Sequence, residues 1–120
     1  MEPYDNQGIL NLAAALERLG GDRELLEEVA QLFLETAPKA LAQLREAVAK
    51  HDAPAVASAA HSLKGSVSNF EAGPSCQAAL RLERMGRSGE LTGVEEAFAA
   101  LETEMERLQP ALVALVAKRG

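Results

Sequence analysis

The 120-residue sequence contains no tryptophan, one tyrosine, three phenylalanines and a single cysteine, Cys76. One cysteine can form neither an intramolecular disulfide nor a thiolate cage for a metal ion. Aromatic residues favour strands, whereas alanine and leucine, which are abundant here, are the strongest helix formers. The composition therefore predicts closely packed helices without a disulfide or a thiolate metal cage.

Basic residues are also scarce, because 18 acidic side chains outnumber 12 basic ones and give a formal net charge of −6. A chain this acidic, without a cluster of lysine and arginine, is a poor ligand for nucleic acid or an anionic membrane. No apolar run approaches the length of a membrane span, and the first residues, MEPYDNQG, lack the regions of a signal peptide. We expect a single domain, residues 1–120, located in the cytoplasm as a monomer.

Glycines and prolines divide the chain into about six helical segments, and none has the alternation of a strand. Asp22 and Asp52 are expected N-caps, and Pro54 suits a first helical turn. Proline removes a backbone donor, so Pro38 predicts a break or kink, and Pro110 predicts an interruption and a kink of the last segment. The predicted segments are 9–19, 22–37, 38–51, 52–70, 74 to 86 or 88, and from 94 onwards.

Four of these segments are longer helices with an apolar stripe, and short turns join them. Such helices predict an all-α fold, an antiparallel four-helix bundle preceded by a short extra N-terminal helix or helices.

One histidine lies in an unusual stretch, AAHSLKGSVSNF, residues 59–70. At about 100° per residue, the apolar stripe of this helix points to the core and His61 points about 140° away from it. The residues around His61 on that face are small, apart from Lys64, and Gly65 has no side chain at all. An exposed helical face is ordinarily filled with long polar side chains, so this face is open to another molecule.

An exposed imidazole with one adjacent cation suits phosphoryl transfer. Neutral imidazole is a nucleophile that forms covalent intermediates. Phosphoryl transfer needs in-line positioning and neutralisation of charge, to which Lys64 contributes. The chain is too short for a nucleotide-binding domain and has no glycine-rich phosphate motif, so a partner must supply the phosphoryl group.

These residues resemble the histidine-containing phosphotransfer (HPt) domain family. His61, Lys64, Gly65 and Phe70 match the family motif, and the likeness extends through RLGGDRELLEEVAQLFLE before it and LERMGRSGEL after it. The resemblance implies a four-helix bundle in which His61 takes a phosphoryl group from an aspartyl phosphate of a receiver domain and passes it to another receiver. It also implies that Lys64 holds the phosphoryl group, that Gly65 permits docking, and that Mg²⁺ belongs to the receiver.

The sequence departs from the family pattern at Glu71, where a glycine often follows the aromatic position. Gly73 is then the residue expected to supply the turn that ends the histidine helix.

Glu83 is the remaining candidate of the site. By spacing it falls on the inward face of its helix, which Cys76, Ala79 and Leu80 define, and a carboxylate there needs a partner. One interpretation is that it lies at the rim and reaches solvent. The other is that it hydrogen-bonds His61 and orients the ring, as a polar residue does in similar proteins.

The resemblance leaves several roles open. The chain is interpreted as a phosphocarrier rather than an enzyme, either free or as a domain of a hybrid histidine kinase or of a chemotaxis-type kinase. A helical adaptor without chemistry is a further alternative. A carboxylate-bridged metal bundle is excluded, because the Glu-x-x-His pairs that it needs are missing before His51 and His61. His51 and Cys76 are interpreted as a helix-end cation and a core residue.

Overall fold

A computed structural model describes residues 10–117. Within this range the regular secondary structure consists of five α-helices and no strand, which confirms the all-α prediction. None of the helices in this range has the length and apolar character needed to cross a membrane. The helices are α1 (Leu12–Arg18), α2 (Arg23–Ala49), α3 (Ala53–Ser68), α4 (Gly73–Ser88) and α5 (Val94–Ala117).

The helix starts follow the capping signals of the sequence. The Asp22 carboxylate accepts a hydrogen bond from the Leu25 N–H at 3.0 Å, and the Asp52 carboxylate accepts one from the Ala55 N–H at 3.2 Å. Each bond satisfies a backbone donor that the first helical turn leaves without a partner. Both predicted N-caps are confirmed. The predicted start of the first helix at residue 9 lies outside the described residues.

The two prolines that were expected to interrupt helices lie inside continuous helices. Helix α2 is continuous for 27 residues through Pro38, and α5 is continuous for 24 residues through Pro110. The predictions of a break at Pro38 with a separate segment 38–51, and of an interruption at Pro110, are therefore wrong. The kinks expected at the two prolines stay predictions. A proline in a helix costs about 3 kcal/mol, but a buried leucine or phenylalanine contributes roughly 1.5–3 kcal/mol, and both helices bury such residues on each side of the proline.

The four long helices contact one another around a shared core. Helix α2 packs against α3 and α5, and α4 packs against the same two helices, while α1 lies on α2. Phe33 of α2 and Phe70, just after α3, meet edge to face with ring centroids 5.5 Å apart. The largest fully buried apolar side chains are Phe70, Leu26, Leu44, Leu63, Leu82, Leu101, Leu108, Leu112, Val56, Val67 and Val94.

Helices α3 and α4 approach each other unusually closely at Gly86. A Cβ atom added to Gly86 would lie 2.5 Å from the backbone nitrogen of Ala57 and 2.7 Å from the carbonyl oxygen of Ala53. No residue other than glycine fits there without a shift of one helix. The short distance between the two backbones brings side chains of α4 within reach of those of α3.

The turn after α3 differs from the expectation. Helix α3 ends at Ser68, and Glu71 adopts a left-handed backbone conformation with φ of 50°. Gly73 begins α4 instead of forming the turn, so that expectation was wrong. Glu71 takes the conformation that a glycine adopts without steric cost, which is the conformation this turn requires. Its side chain pairs with Arg18 of α1 at 2.9 Å.

Candidate functional site

His61 stands on the outer face of α3, and its side chain is 60% exposed. The neighbouring positions on this face are small, and a Cβ atom added to Gly65 would meet no atom within 4 Å. The space over the imidazole is therefore open to an incoming molecule. The structure places His61, Lys64 and Gly65 together because one turn of helix separates them.

Glu83 of α4 lies beneath this exposed ring. Its side chain is only 4% exposed, and its Oε2 atom is 2.9 Å from Nδ1 of His61. Its Oε1 atom is 2.6 Å from the Lys64 ammonium in an ion pair. A single buried carboxylate thus contacts both polar residues of the α3 motif. Of the two positions considered for Glu83, the rim and the interior, it occupies the interior.

Arg87 completes the group and was not singled out from the sequence. It follows Glu83 by one turn of α4, and its guanidinium lies 2.6 Å from the same Oε2 atom that contacts His61. The Arg87 side chain is 66% exposed, and in this respect it does not differ from an ordinary surface arginine. The signal that could have identified it is the i,i+4 spacing from a glutamate assigned to the helix interior.

The groups around Glu83 keep its side chain ionised. The Lys64 ammonium, the His61 ring and the Arg87 guanidinium lower the pKa of Glu83 from 4.5 to about 2, although burial acts in the opposite direction. Glu83 is therefore a carboxylate at neutral pH and can only accept hydrogen bonds. In the neutral imidazole it follows that Nδ1 carries the proton and that Nε2 carries the free lone pair. Nε2 has no partner among residues 10–117.

The inward face of α4 is rotated slightly from the predicted one. Of the three residues expected to define it, Ala79 is buried, whereas Cys76 and Leu80 are only half-buried. The Cys76 sulfur lies 3.6 Å from the hydroxyl oxygen of Ser68 on α3. The buried positions of α4 are Ser75, Ala79, Leu82, Glu83 and Gly86.

The second histidine has a different environment. His51 lies in the turn after α2 with φ of 52°, and its Nε2 atom is 2.8 Å from Glu95 near the start of α5. This exposed hydrogen bond links two elements at the protein surface. Of the two histidines, only His61 combines a buried carboxylate on one nitrogen with an open second nitrogen.

A comparison with protein-family models matched residues 28–111 to the family described as Hpt domain. The match covers more than half of the chain and includes His61, Lys64, Gly65, Glu83 and Arg87. Neither the curated proteins nor the solved structures gave a match.

Proposed function

Since the chain belongs to the Hpt domain family, whose members carry out histidine phosphotransfer in two-component signalling, we propose that His61 is the phosphorylated residue. It accepts a phosphoryl group from an aspartyl phosphate of a receiver domain and passes it to a second receiver. The observation that carries this proposal is the pairing of His61 Nδ1 with the buried Glu83 carboxylate at 2.9 Å. That bond fixes the ring and leaves Nε2 as the nucleophile on the open face.

The transfer step requires no rearrangement of protons. The Nε2 lone pair attacks phosphorus, an Nε2–P bond forms, and the bond from phosphorus to the aspartyl oxygen breaks. The aspartate leaves as a carboxylate, while the proton stays on Nδ1, which continues to donate its hydrogen bond to Glu83. The phosphorylated ring carries a positive charge, which the adjacent carboxylate stabilises. Transfer to the second receiver reverses these bond changes.

Lys64 and Gly65 serve the incoming group. The Lys64 side chain is 27% exposed and lies one turn after His61, so its ammonium can contact both Glu83 and a phosphoryl oxygen on Nε2. Gly65 leaves the space that the receiver surface occupies during transfer. The receiver contributes Mg²⁺, which neutralises further charge on the transferring group.

Glu83 acts as a positioning residue. It holds the imidazole ring in one orientation and one tautomer, in the way that carboxylates orient histidines in other sites. Arg87 supports it from the solvent side by pairing with the oxygen that also contacts His61.

We also propose that residues 1–120 form one phosphotransfer domain, that it is a monomer, and that α2 to α5 form an antiparallel four-helix bundle. The short connections between consecutive helices support this arrangement, since short loops favour antiparallel neighbours. The four helices are joined by residues 50–52, 69–72 and 89–93. The domain is a phosphocarrier without an ATP site of its own.

The proposal is tested by mixing the protein with a receiver domain phosphorylated on its aspartate. We expect acid-labile label on the wild-type chain and on His51→Gln, and none on His61→Gln, with equal helical circular dichroism for all three. Label on His61→Gln would refute the assignment.

A second incubation with ATP and Mg²⁺ alone should leave the chain unlabelled. A chain that binds receivers but never acquires label would instead be a helical adaptor, the alternative function.

A further inference from the structure

The charge of this acidic protein is distributed unevenly between the α3–α4 region and the rest of the chain. Residues 53–88, which form the α3–α4 hairpin, contain four basic and two acidic side chains, a net charge of +2. The rest of the chain contains eight basic and sixteen acidic side chains, a net charge of −8. The histidine therefore lies on the one positive part of a negative molecule.

The positive charge of the hairpin is concentrated on the outer side of α4. Counted around the helix from Glu83, Arg87 lies at about 40°, Arg84 at about 100° and Arg81 at about 160° in the same direction. All three arginines are exposed. They are separated by pairs of other residues in the sequence, so they form no basic run, but the helix brings them into one strip that begins beside His61. We call Arg81, Arg84 and Arg87 the arginine strip.

Two of the three arginines of the strip have no acidic partner within the described residues. Arg87 pairs with Glu83, whereas the side chains of Arg81 and Arg84 have no ion pair or hydrogen bond with any residue in the range 10–117. Helix α2 is balanced to a greater extent, since Arg23 pairs with Glu27 of α2 and Arg45 with Glu102 of α5. Lys39 of α2, like Arg81 and Arg84, has no ion pair with the residues in the range 10–117. Helix α3 contains no acidic residue that could balance the strip.

We propose that the arginine strip is a docking surface for the acidic surface of a receiver domain and that it orients the receiver before phosphoryl transfer. The inference rests on the proposed function, because it concerns the partner of the same histidine. A positive surface beside the nucleophile attracts an acidic partner to the correct face, while the surface of net charge −8 repels it from the wrong one. Arg84 and Arg81 act in the encounter, before any bond to phosphorus forms.

The charge distribution argues against a polyanion such as nucleic acid. A polyanion would need to avoid the large negative remainder of the chain, whereas the compact acidic surface of a receiver can contact the strip alone. Long-range attraction of this kind raises the association rate and weakens steeply with ionic strength. The transfer step itself, once the receiver is bound, depends on His61 and its neighbours.

The test compares two charge reversals that change the net charge equally, from −6 to −8. Arg84→Glu alters the strip, and Lys39→Glu alters an exposed position of α2. The donor is the receiver domain that, in a panel phosphorylated with acetyl phosphate and Mg²⁺, transfers fastest to the wild-type chain. Single-turnover transfer is measured over a range of receiver concentrations at low and high salt.

At low salt we expect Arg84→Glu to lower the second-order rate constant about tenfold, with an unchanged maximal rate at saturating receiver. Lys39→Glu should change it less than twofold, and at about 0.5 M salt the difference between the two variants should disappear. Equal slowing of both variants, no slowing of either, or a deficit of Arg84→Glu that persists at high salt would overturn the proposal. So would heparin binding by the wild-type chain that Arg84→Glu abolishes while transfer stays normal.

Failure of this inference differs from failure of the proposed function. A wild-type chain that accepts label on His61 while both variants match it refutes only the docking role of the strip. A wild-type chain that accepts label from no receiver refutes the function, and the docking role with it.

Discussion

Replacing Gly86 with alanine perturbs the contact that sets the distance between α3 and α4. The added Cβ atom would lie 2.5 Å from the Ala57 nitrogen, 2.7 Å from the Ala53 oxygen and 2.8 Å from the Ala57 α-carbon. All three are backbone atoms, so no side chain can rotate away to make room. An ordinary contact of this kind is 3.4–4 Å long. The two helices must therefore separate locally by nearly 1 Å.

The expected cost follows from two opposing effects. Overpacking of a well-filled interior costs about 1–3 kcal/mol, and alanine regains up to about 1 kcal/mol through its higher helix propensity. We expect a net loss of roughly 1–2 kcal/mol in the free energy of unfolding, with the bundle still folded. Glu83 lies three residues before Gly86 on the same helix, so the separation should also lengthen the 2.9 Å contact between its Oε2 and His61 Nδ1.

The assay combines stability with the state of the histidine ring. Thermal unfolding measures the loss of stability, and ¹⁵N NMR of the His61 ring measures which nitrogen carries the proton. Gly73→Ala is the matched control, because an added Cβ atom there meets nothing within 4 Å. In the control the ring signals should match the wild type. In Gly86→Ala they should shift towards a mixture of tautomers, and phosphoryl acceptance should slow.

Two results would contradict this reasoning. Unchanged stability in Gly86→Ala would show that the helices accommodate the methyl group without separating. Lost stability with wild-type ring signals and wild-type transfer would show that the close approach stabilises the fold but does not position Glu83.

Further substitutions test the other parts of the site and the turn. Lys64→Ala should raise the barrier to transfer by about 1–3 kcal/mol, which slows single-turnover labelling roughly 5- to 150-fold. Gly65→Gln should abolish transfer without lowering the melting temperature, since the position is open; retained transfer would exclude Gly65 from docking. Glu83→Ala should shorten the phosphohistidine lifetime in a folded protein, and an unaltered lifetime would remove its role. Because folding lowers the pKa of Glu83 to about 2, its stabilising contribution is complete above its ordinary pKa of 4.5 and is lost as the pH falls towards 2. The difference in unfolding free energy between the wild type and Glu83→Gln, followed by denaturant titration, should narrow over that range. Glu71→Gly should raise the free energy of unfolding by up to about 1 kcal/mol, because glycine adopts the left-handed conformation without strain. Arg18→Ala should change the free energy of unfolding little, because the ion pair between Arg18 and Glu71 is exposed. A loss of stability in Glu71→Gly would show that this ion pair contributes more than the backbone strain costs.

Local signals predicted the parts of the fold that depend on local interactions. Asp22 and Asp52 were identified as caps because a cap needs only its own side chain and the next helical turn. The predictions of an interruption at Pro38 and Pro110 were wrong because the cost of a proline is local, whereas the burial that outweighs this cost depends on contacts with other helices. The turn at Glu71 was missed because glutamate seldom adopts a positive φ, and only the geometry of the connection requires it.

The candidate site divides in the same way. His61, Lys64 and Gly65 were identified from the sequence because all three share one face of one helix. The contacts of Glu83 depend on the spacing between two helices, and that spacing depends on Gly86, whose neighbours in space come from a distant part of the chain. Arg87 remained hidden because its significance derives from the position of Glu83.

The lengths of the helices suggest how such a molecule can diversify. Helix α2, with 27 residues, is about 40 Å long and spans the 41 Å long axis of the molecule, whereas α3 and α4, with 16 residues each, are about 24 Å long. The long helices α2 and α5 thus extend beyond the shorter helices α3 and α4, which contain the candidate site. On the proposed function, the outer faces of α2 and α5 can accumulate substitutions that alter solubility or melting temperature without changing phosphoryl transfer. Mutational tolerance should accordingly be high on the outer faces of α2 and α5 and low on the hairpin.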